Sequence, residues 1–479
     1  MTLENIFINN KDKVFAINSQ LDKSYTYSDI YNLSMNYTKV LLKKYNIKSN
    51  NKVILLLDNS IEFISLYFWA FFNDIVILPL SKKLPLEDIE KIIMDYNIDF
   101  IITDESLINN INEINIKNFD FIEEKYDLNQ MPKIKYDKNL LLMYTSGTTG
   151  EPKCIVYSIS SFIENGNKFI KFHNITSSDR FILLLEISYM AGYYNMFLVP
   201  FLAEASIVIK QSFVPQDILK FWNEIIKYEV NILWFVPTII KLLNKLDRNL
   251  KGKEYCENNI KYIFSCTAPL DLKDKIYFKN KYNKQIFNTY GLSETLFISS
   301  ENGNNYKEIS NYVGQPIVNI NIDNEEICVL NDNIFEGYLS PHKNTVSILN
   351  DKIFFTGDLG ELKNDSLYII GRKKNIIIKG GVNINPKILE DKIKILDFIV
   401  DVAVVGVKDK IFGEKAVAVV VVLQDKEEIN FINELRLFSK SNFSKDTQID
   451  DFIIFDNLPL NRNNKVNKKE IINILKDMQ

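Results

Sequence analysis

Hydrophobic positions along this chain fall into short runs broken by polar turns. From Tyr25 to Thr145 the apolar runs Val53–Leu57, Ile75–Leu78 and Phe100–Thr103 alternate with stretches of helical spacing. That alternation predicts parallel α/β layers. The most apolar stretch, Phe63 to Leu80, is long enough to weigh as a membrane span, but Asn73 and Asp74 cut it in two. It reads instead as a buried helix over Ile61–Phe72, a left-handed cap at Asn73, and a core strand over Ile75–Leu78 that Pro79 ends. Tyr25-Thr26-Tyr27-Ser28-Asp29 reads as a helix start with Ser28 as cap. Later elements expected from the pattern are a short strand Cys154–Tyr157, a helix Ser160–Phe172, and strands Phe181–Leu185 and Tyr262–Ser265. Near the C-terminus come strands Asp401–Val405, Ala416–Leu423 and Phe452–Phe455, with helices between and after.

Behind the apolar run Leu140–Met143 lies Tyr144-Thr145-Ser146-Gly147-Thr148-Thr149-Gly150-Glu151-Pro152-Lys153. Gly147 and Gly150 allow positive φ and close backbone approach to an anion. Thr145, Ser146, Thr148 and Thr149 offer hydroxyl donors, and Lys153 adds a point charge. Gly and Thr are ordinary residues of a polar hairpin loop, yet this density of anion donors points to phosphate. The P-loop of kinases and NTPases does not fit, because it needs Gly-Lys-Ser/Thr in sequence and a helix opening at the Lys. Here Glu151 and Pro152 intervene and a strand follows.

With 479 residues the chain exceeds one ordinary core, so two or more domains are expected. Its 46% hydrophobic and 25% charged residues are those of a typical soluble protein. A formal net charge of -4 gives no electrostatic case for nucleic acid or an anionic membrane. Cys154, Cys256, Cys266 and Cys328 show neither CxxC nor Cys/His spacing, so no zinc site or disulfide framework is indicated and a cytoplasmic location is expected. Met1 to Phe15 holds no apolar signal core, and no membrane span is expected. His173 and His342 are the only histidines, a poor basis for a Ser-His triad.

The phosphate-type loop resembles, almost letter for letter, that of the adenylate-forming superfamily: acyl-CoA and aryl-CoA synthetases, firefly luciferase and peptide-synthetase adenylation domains. The resemblance runs in unbroken motif order from Tyr25 to Lys465. It implies an α/β fold with a large multi-layered N-terminal domain of β-sheets and helices, residues 1–372. A small mobile α+β C-terminal domain, residues 373–479, would turn on a hinge at Lys374. By the same resemblance, Glu186-Ile187-Ser188-Tyr189-Met190-Ala191-Gly192-Tyr193-Tyr194-Asn195 lines the acid pocket, with Tyr189, Gly192 and Tyr193 as its residues. Trp234 and Val236 join them from Trp234-Phe235-Val236-Pro237-Thr238. Each tyrosine is equally well explained as a core aromatic with a satisfied hydroxyl. Ile187 to Phe197 contains no acid, so an α-amino acid substrate is disfavoured.

The resemblance further implies that the backbone of Thr267, Ala268 and Pro269 and the ring of Tyr290 sandwich adenine. In Thr289-Tyr290-Gly291-Leu292-Ser293-Glu294-Thr295, Ser293 can reach the α-phosphate and Glu294 is a hard ligand suited to Mg²⁺. Asp358, in Thr356-Gly357-Asp358-Leu359-Gly360, would accept both ribose hydroxyls; an Asx turn is its ordinary reading. Arg372 would contact ribose and phosphate. Gly380-Gly381 would line a pantetheine tunnel or form a β-hairpin turn. Lys465, in Leu458-Pro459-Leu460-Asn461-Arg462-Asn463-Asn464-Lys465-Val466, is the implied catalytic lysine, with Asn464 where the family usually has Gly. Two further departures are Cys154 for the Gly after the phosphate-loop Lys and Ser158 for a common His.

What the resemblance implies is ATP-dependent conversion of a carboxylic acid to acyl-AMP with release of pyrophosphate. Transfer to a phosphopantetheine thiol follows, that of CoA or of a carrier protein. The Gly380-Gly381 block favours an acyl- or aryl-CoA ligase. A stand-alone enzyme loading a carrier protein is the alternative, and a non-catalytic nucleotide-binding homologue is disfavoured by Lys465, Glu294, Asp358 and Arg372 together.

Overall fold

The computed structural model describes residues 2–105, 113–119, 124–145, 153–248, 250–330, 334–343, 345–347, 353–423, 428–460 and 466–478. Two compact units result. One is Met1–Glu308 with Val313–Ile320 and Val329–Phe354; the other is Ile309–Tyr312 with Asn321–Cys328 and Phe355–Gln479.

Among the described residues the first unit holds two large mixed sheets. In one, parallel strands run in the order Phe287–Leu292, Tyr262–Ser265, Ile232–Phe235, Arg180–Ile182, Ser206–Ile209 and Val14–Asn18, with antiparallel strands at both ends. In the other, Asn139–Thr145, Val76–Pro79, Lys52–Leu56, Phe100–Thr103 and Glu113–Asn115 are parallel neighbours. Lys153–Ser158 and Gly337–Leu339 extend it antiparallel. Strands with helices on both faces read as unbroken apolar runs, which is why these segments were legible.

Helix Ile61–Phe72 is apolar all round and accordingly buried at every position except Glu62. Its end corrects the expected cap. Asn73 has φ -117° and donates its amide to Trp69 O (2.7 Å) and Thr38 Oγ1 (2.8 Å). The left-handed step passes to Asp74, with φ 55°, whose carboxylate meets Lys138 at 3.0 Å. The helix start at Tyr27 is likewise capped by Thr26 and not by Ser28. Thr26 Oγ1 accepts from Asp29 N (3.1 Å) while the Asp29 carboxylate accepts from Thr26 N (2.7 Å), a reciprocal capping box.

A four-stranded sheet, most of whose residues belong to the second unit, runs in the order Ile320–Asp323, Glu326–Leu330, Ile353–Lys363, Ser366–Arg372. A further sheet is built on the long antiparallel pair Ile399–Asp409 and Gly413–Val422, joined by Ile377–Lys379, Val382–Ile384 and Asp451–Ile454. Both faces of that pair are covered. Val402, Val404, Ala416, Ala418 and Val420 pack on one side with Leu389 and Leu435. Ala403, Val405, Val407, Val417 and Val419 pack on the other with Ile471 and Leu475. The period of two distributes an unbroken apolar run over two cores. Among the described residues no helix is long and apolar enough to cross a membrane.

Candidate active site

Strands Asn139–Thr145 and Lys153–Ser158 pair antiparallel with Thr145 opposite Lys153, so the phosphate-type loop joins two strands, as expected. Its residues Ser146, Gly147, Thr148, Thr149 and Gly150 lie outside the described residues, and so does Lys465. Cys154, which replaces a glycine of the family motif, points into the core beside Leu142 and Val156, and burial pushes its thiol up to about 12. It is a packing residue. Ser158, which replaces the histidine, donates to Glu336 Oε1 at 2.7 Å.

Lys153, at the base of this loop, reaches across to Tyr338. Its Nζ stands 4.4 Å from the Tyr338 ring centroid, and the Tyr338 hydroxyl donates to Glu294 Oε1 at 2.9 Å. Burial first, and Glu294 second, raise the pKa of Tyr338, so its phenol stays a donor. One aromatic residue thereby holds a cation over its face and a carboxylate at its edge.

The segment carrying Ser293 and Glu294 is a tight turn between Phe287–Leu292 and Leu296–Ser300. Leu292 N donates to Thr295 Oγ1 (3.2 Å), Tyr157 OH to Ser293 O (2.5 Å), and Phe335 N to Glu294 O (3.0 Å). The register shifts between Tyr290 and Gly291, and Leu296 has φ 58°. Only glycine fits at 291, because a Cβ would fall 1.9 Å from Leu296 O. Tyr290 itself is mostly buried, opposite Ser299.

Strands Ile232–Phe235 and Tyr262–Ser265 are parallel neighbours whose C-terminal ends lead into Val236 and into Cys266, Thr267, Ala268 and Pro269. Thr267 adopts φ 71°, an uncommon conformation for a β-branched residue. Asn195 Nδ2 lies 3.7 Å from Cys266 Sγ. Asn195 belongs to a π-helix, Ala191–Leu198, a form often found at functional sites. Gly192 lies in the first turn of that helix; a Cβ there would come within 2.0 Å of Glu186 O. Tyr189 is 43% exposed, whereas Tyr193 is buried and stacked on Tyr67 at 4.6 Å. Trp234 packs inside the aromatic core against Phe264 and Phe297 rather than on an open wall, leaving Val236 partly exposed beside it. Glu186, the nearest acid to this segment, is taken by Lys83 at 2.6 Å.

In the second unit Asp358 and Arg372 lie opposite each other on paired strands, and Arg372 Nε is 2.6 Å from Asp358 Oδ1. Gly357, with φ 72°, donates its N–H to Glu326 Oε1 at 2.9 Å, and Asp358 N donates to Thr356 Oγ1 at 3.1 Å. The carboxylate is thus buried but fixed in direction. Lys374 is the middle residue of a single 3-10 turn, Lys373–Asn375. Burial, then Arg372 and Lys469, lowers its pKa. Gly380 and Gly381, with φ 56° and 85°, form the two-residue turn of a hairpin whose Lys379 and Val382 face each other. Sequence reasoning passed over Tyr338, Tyr157 and Glu326 as site-building residues. Their partners lie 44, 136 and 31 positions away, which no local spacing reveals.

The chain matches the AMP-binding enzyme family over residues 6–339 and the AMP-binding enzyme C-terminal domain over residues 389–465. It is 24% identical to the 2-succinylbenzoate–CoA ligase of Bacillus subtilis (strain 168), over 94% of this chain and 93% of that protein. It is 27% identical to 4-coumarate:CoA ligase 1 of Petunia hybrida, over 85% and 81%. The o-succinylbenzoate CoA synthetase of Bacillus subtilis, solved with its acyl-adenylate intermediate, superposes with a TM-score of 0.82 at 21% identity, covering 98% of this chain and 97% of that one. With a phosphate-type hairpin, a Glu294 turn and an Asp358–Arg372 pair set out in this order, the chain belongs to the AMP-binding enzyme family.

Proposed function

We propose that this protein joins a carboxylic acid to CoA at the expense of ATP. In the first half-reaction a carboxylate oxygen of the acid attacks the α-phosphorus and pyrophosphate leaves, giving acyl-AMP. In the second, the CoA thiol attacks the acyl carbon, loses its proton, and AMP leaves. The substrate carboxylate is itself the nucleophile, so no protein nucleophile is required. The observation that carries this reading is the Lys153–Tyr338–Glu294 arrangement, a cation and a carboxylate held together at the base of an anion-binding loop.

Each residue then has a task. Lys153 and the loop hydroxyls hold the outer phosphates, and Lys465 neutralises charge growing on phosphorus. Thr267, Ala268 and Pro269 face one side of adenine and Tyr290 the other, while Asp358, aimed by Arg372, accepts the ribose hydroxyls. Glu294 fits Mg²⁺, since among the described residues the Tyr338 hydroxyl bonds its Oε1 and leaves Oε2 to a hard cation. Mg²⁺ held there supplies positive charge to the phosphate oxygens. Glu294→Gln keeps the bond to Tyr338 and is expected to raise the half-saturating Mg²⁺ for pyrophosphate release by ~10-fold. An unchanged Mg²⁺ titration would contradict the assignment.

Two curated relatives are named as ligases of aryl-containing acids, 2-succinylbenzoate and 4-coumarate, and both use CoA by name. That supports CoA over a carrier protein. The pairing of Glu186 with Lys83, together with the lack of acid from Ile187 to Phe197, supports an acid without an α-ammonium group. A pyrophosphate-release screen across fatty, aryl and amino acids, with CoA and a phosphopantetheinylated carrier protein as competing acceptors, tests both points. Turnover is expected with aryl or fatty acids and with free CoA; preference for an α-amino acid or for the carrier would contradict the reading.

A further inference from the structure

At the base of the hairpin Phe287–Leu292 and Leu296–Ser300, whose turn carries Glu294, lies a charge pair that no step above uses. Lys275 Nζ and Glu301 Oε2 are 2.6 Å apart, with side-chain exposures of 1% and 0%. Glu301 follows strand Leu296–Ser300 immediately and ties down the base of the hairpin. Its N–H donates to Asn288 O (2.9 Å) while its Oε2 accepts from Asn288 N (2.7 Å), so one residue satisfies both backbone groups of Asn288. Its Oε1 accepts from Lys307 N at 3.2 Å. Lys275 belongs to helix Leu272–Tyr282, the element that follows Thr267, Ala268 and Pro269. It donates also to Lys307 O (3.0 Å) and lies 4.5 Å from the Tyr306 ring centroid. Burial pushes Lys275 down and Glu301 up from their ordinary pKa values, with mutual attraction opposing both shifts.

Stability alone gives little reason for such a pair. Burying two charges costs several kcal/mol each, and apolar residues of similar volume often serve as well or better. What the pair does, and apolar residues cannot, is hold backbone N–H groups from two segments at fixed direction. We propose that Lys275 and Glu301 are positioning residues that set the spacing between the two walls of the adenine site, the segment Thr267–Pro269 and the ring of Tyr290. This rests on the adenine assignment given above.

The test compares three full-length variants with the parent by thermal unfolding and by KM for ATP and for the acid in pyrophosphate release. Tyr290→Ala, which removes one wall, should raise the ATP KM; an unchanged value would refute the adenine assignment and the inference with it. Glu301→Gln should raise the ATP KM by ~10- to 100-fold and change the acid KM by less than ~3-fold. Lys275→Met with Glu301→Leu, assayed below its unfolding temperature, should keep a raised ATP KM, because Asn288 and Lys307 have lost their acceptor. A double variant with the parent's ATP KM would show that the pair merely fills space and would overturn the proposal, provided Tyr290→Ala is impaired. Should the double variant not fold, Glu301→Gln decides: a selective ATP effect supports positioning, and equal changes in both KM values refute it.

Discussion

Lys465→Ala is expected to slow acyl-adenylate formation by ~10²- to 10³-fold while thioester formation from pre-made acyl-adenylate survives. Lys465 would neutralise charge only as the acid attacks the α-phosphorus, and an interaction made in one transition state affects only that step. The assignment comes from the motif Leu458 to Val466. On its two sides Leu460 and Val466 form an antiparallel bridge, Asn467 N donates to Pro459 O (2.8 Å), and Asn467 caps helix Lys468–Asp477. Measuring the half-reactions separately checks it; equal loss in both would show that Lys465 has another role.

Lys374→Pro is expected to impair thioester formation by ~10²-fold and adenylation far less. On the assignments proposed above, Lys465 would reach the phosphates in the first half-reaction, and the Gly380-Gly381 turn would face the same acyl carbon when the thiol arrives. One pose cannot easily serve both, so the chain should rotate at Lys374 between them. The local structure shows what such rotation must change. Arg372, two residues before, is held by Asp358 at 2.6 Å, whereas Asn385 beyond the turn donates to Ile370 O at 3.1 Å and sits where a Gly371 side chain would be. Rotation must break the Asn385 bond. Proline fixes φ near -65° at position 374 and so opposes a large backbone rotation there. Thioester formation at the parent rate would show that no rotation at Lys374 is needed.

Much of the fold was legible because burial alone dictates it. Helix Ile61–Phe72 has no polar face except Glu62 and could only be internal; the run Ala416–Val420 feeds two cores by simple alternation. Caps were less legible. Thr26 and Ser28 are both competent hydroxyls, and the choice was made by Asp29 three residues after Thr26, a reciprocal pairing that a single-residue reading overlooks. Asn73 and Asp74 tolerate the same backbone, and the side-chain bonds of Asn73 decided between them. Of the proposed site, Glu294, Asp358 and Arg372 could be named from motifs, but the contacts of Tyr338 and of the Lys275–Glu301 pair could not. Their significance lies in strand order and helix packing, which bring residues 44 and 26 positions apart into contact. Trp234 was assigned to the pocket by the resemblance of its segment, and its ring packs against Phe264 and Phe297.

The central claim is that a carboxylic acid is activated as its adenylate before any thiol takes part. Acid-dependent exchange of labelled pyrophosphate into ATP, measured with Mg²⁺ and no CoA, tests it most directly. The account predicts exchange that requires the acid, with AMP and thioester appearing in equal amounts once CoA is added. Formation of ADP and phosphate, or exchange seen only after CoA is supplied, would contradict it.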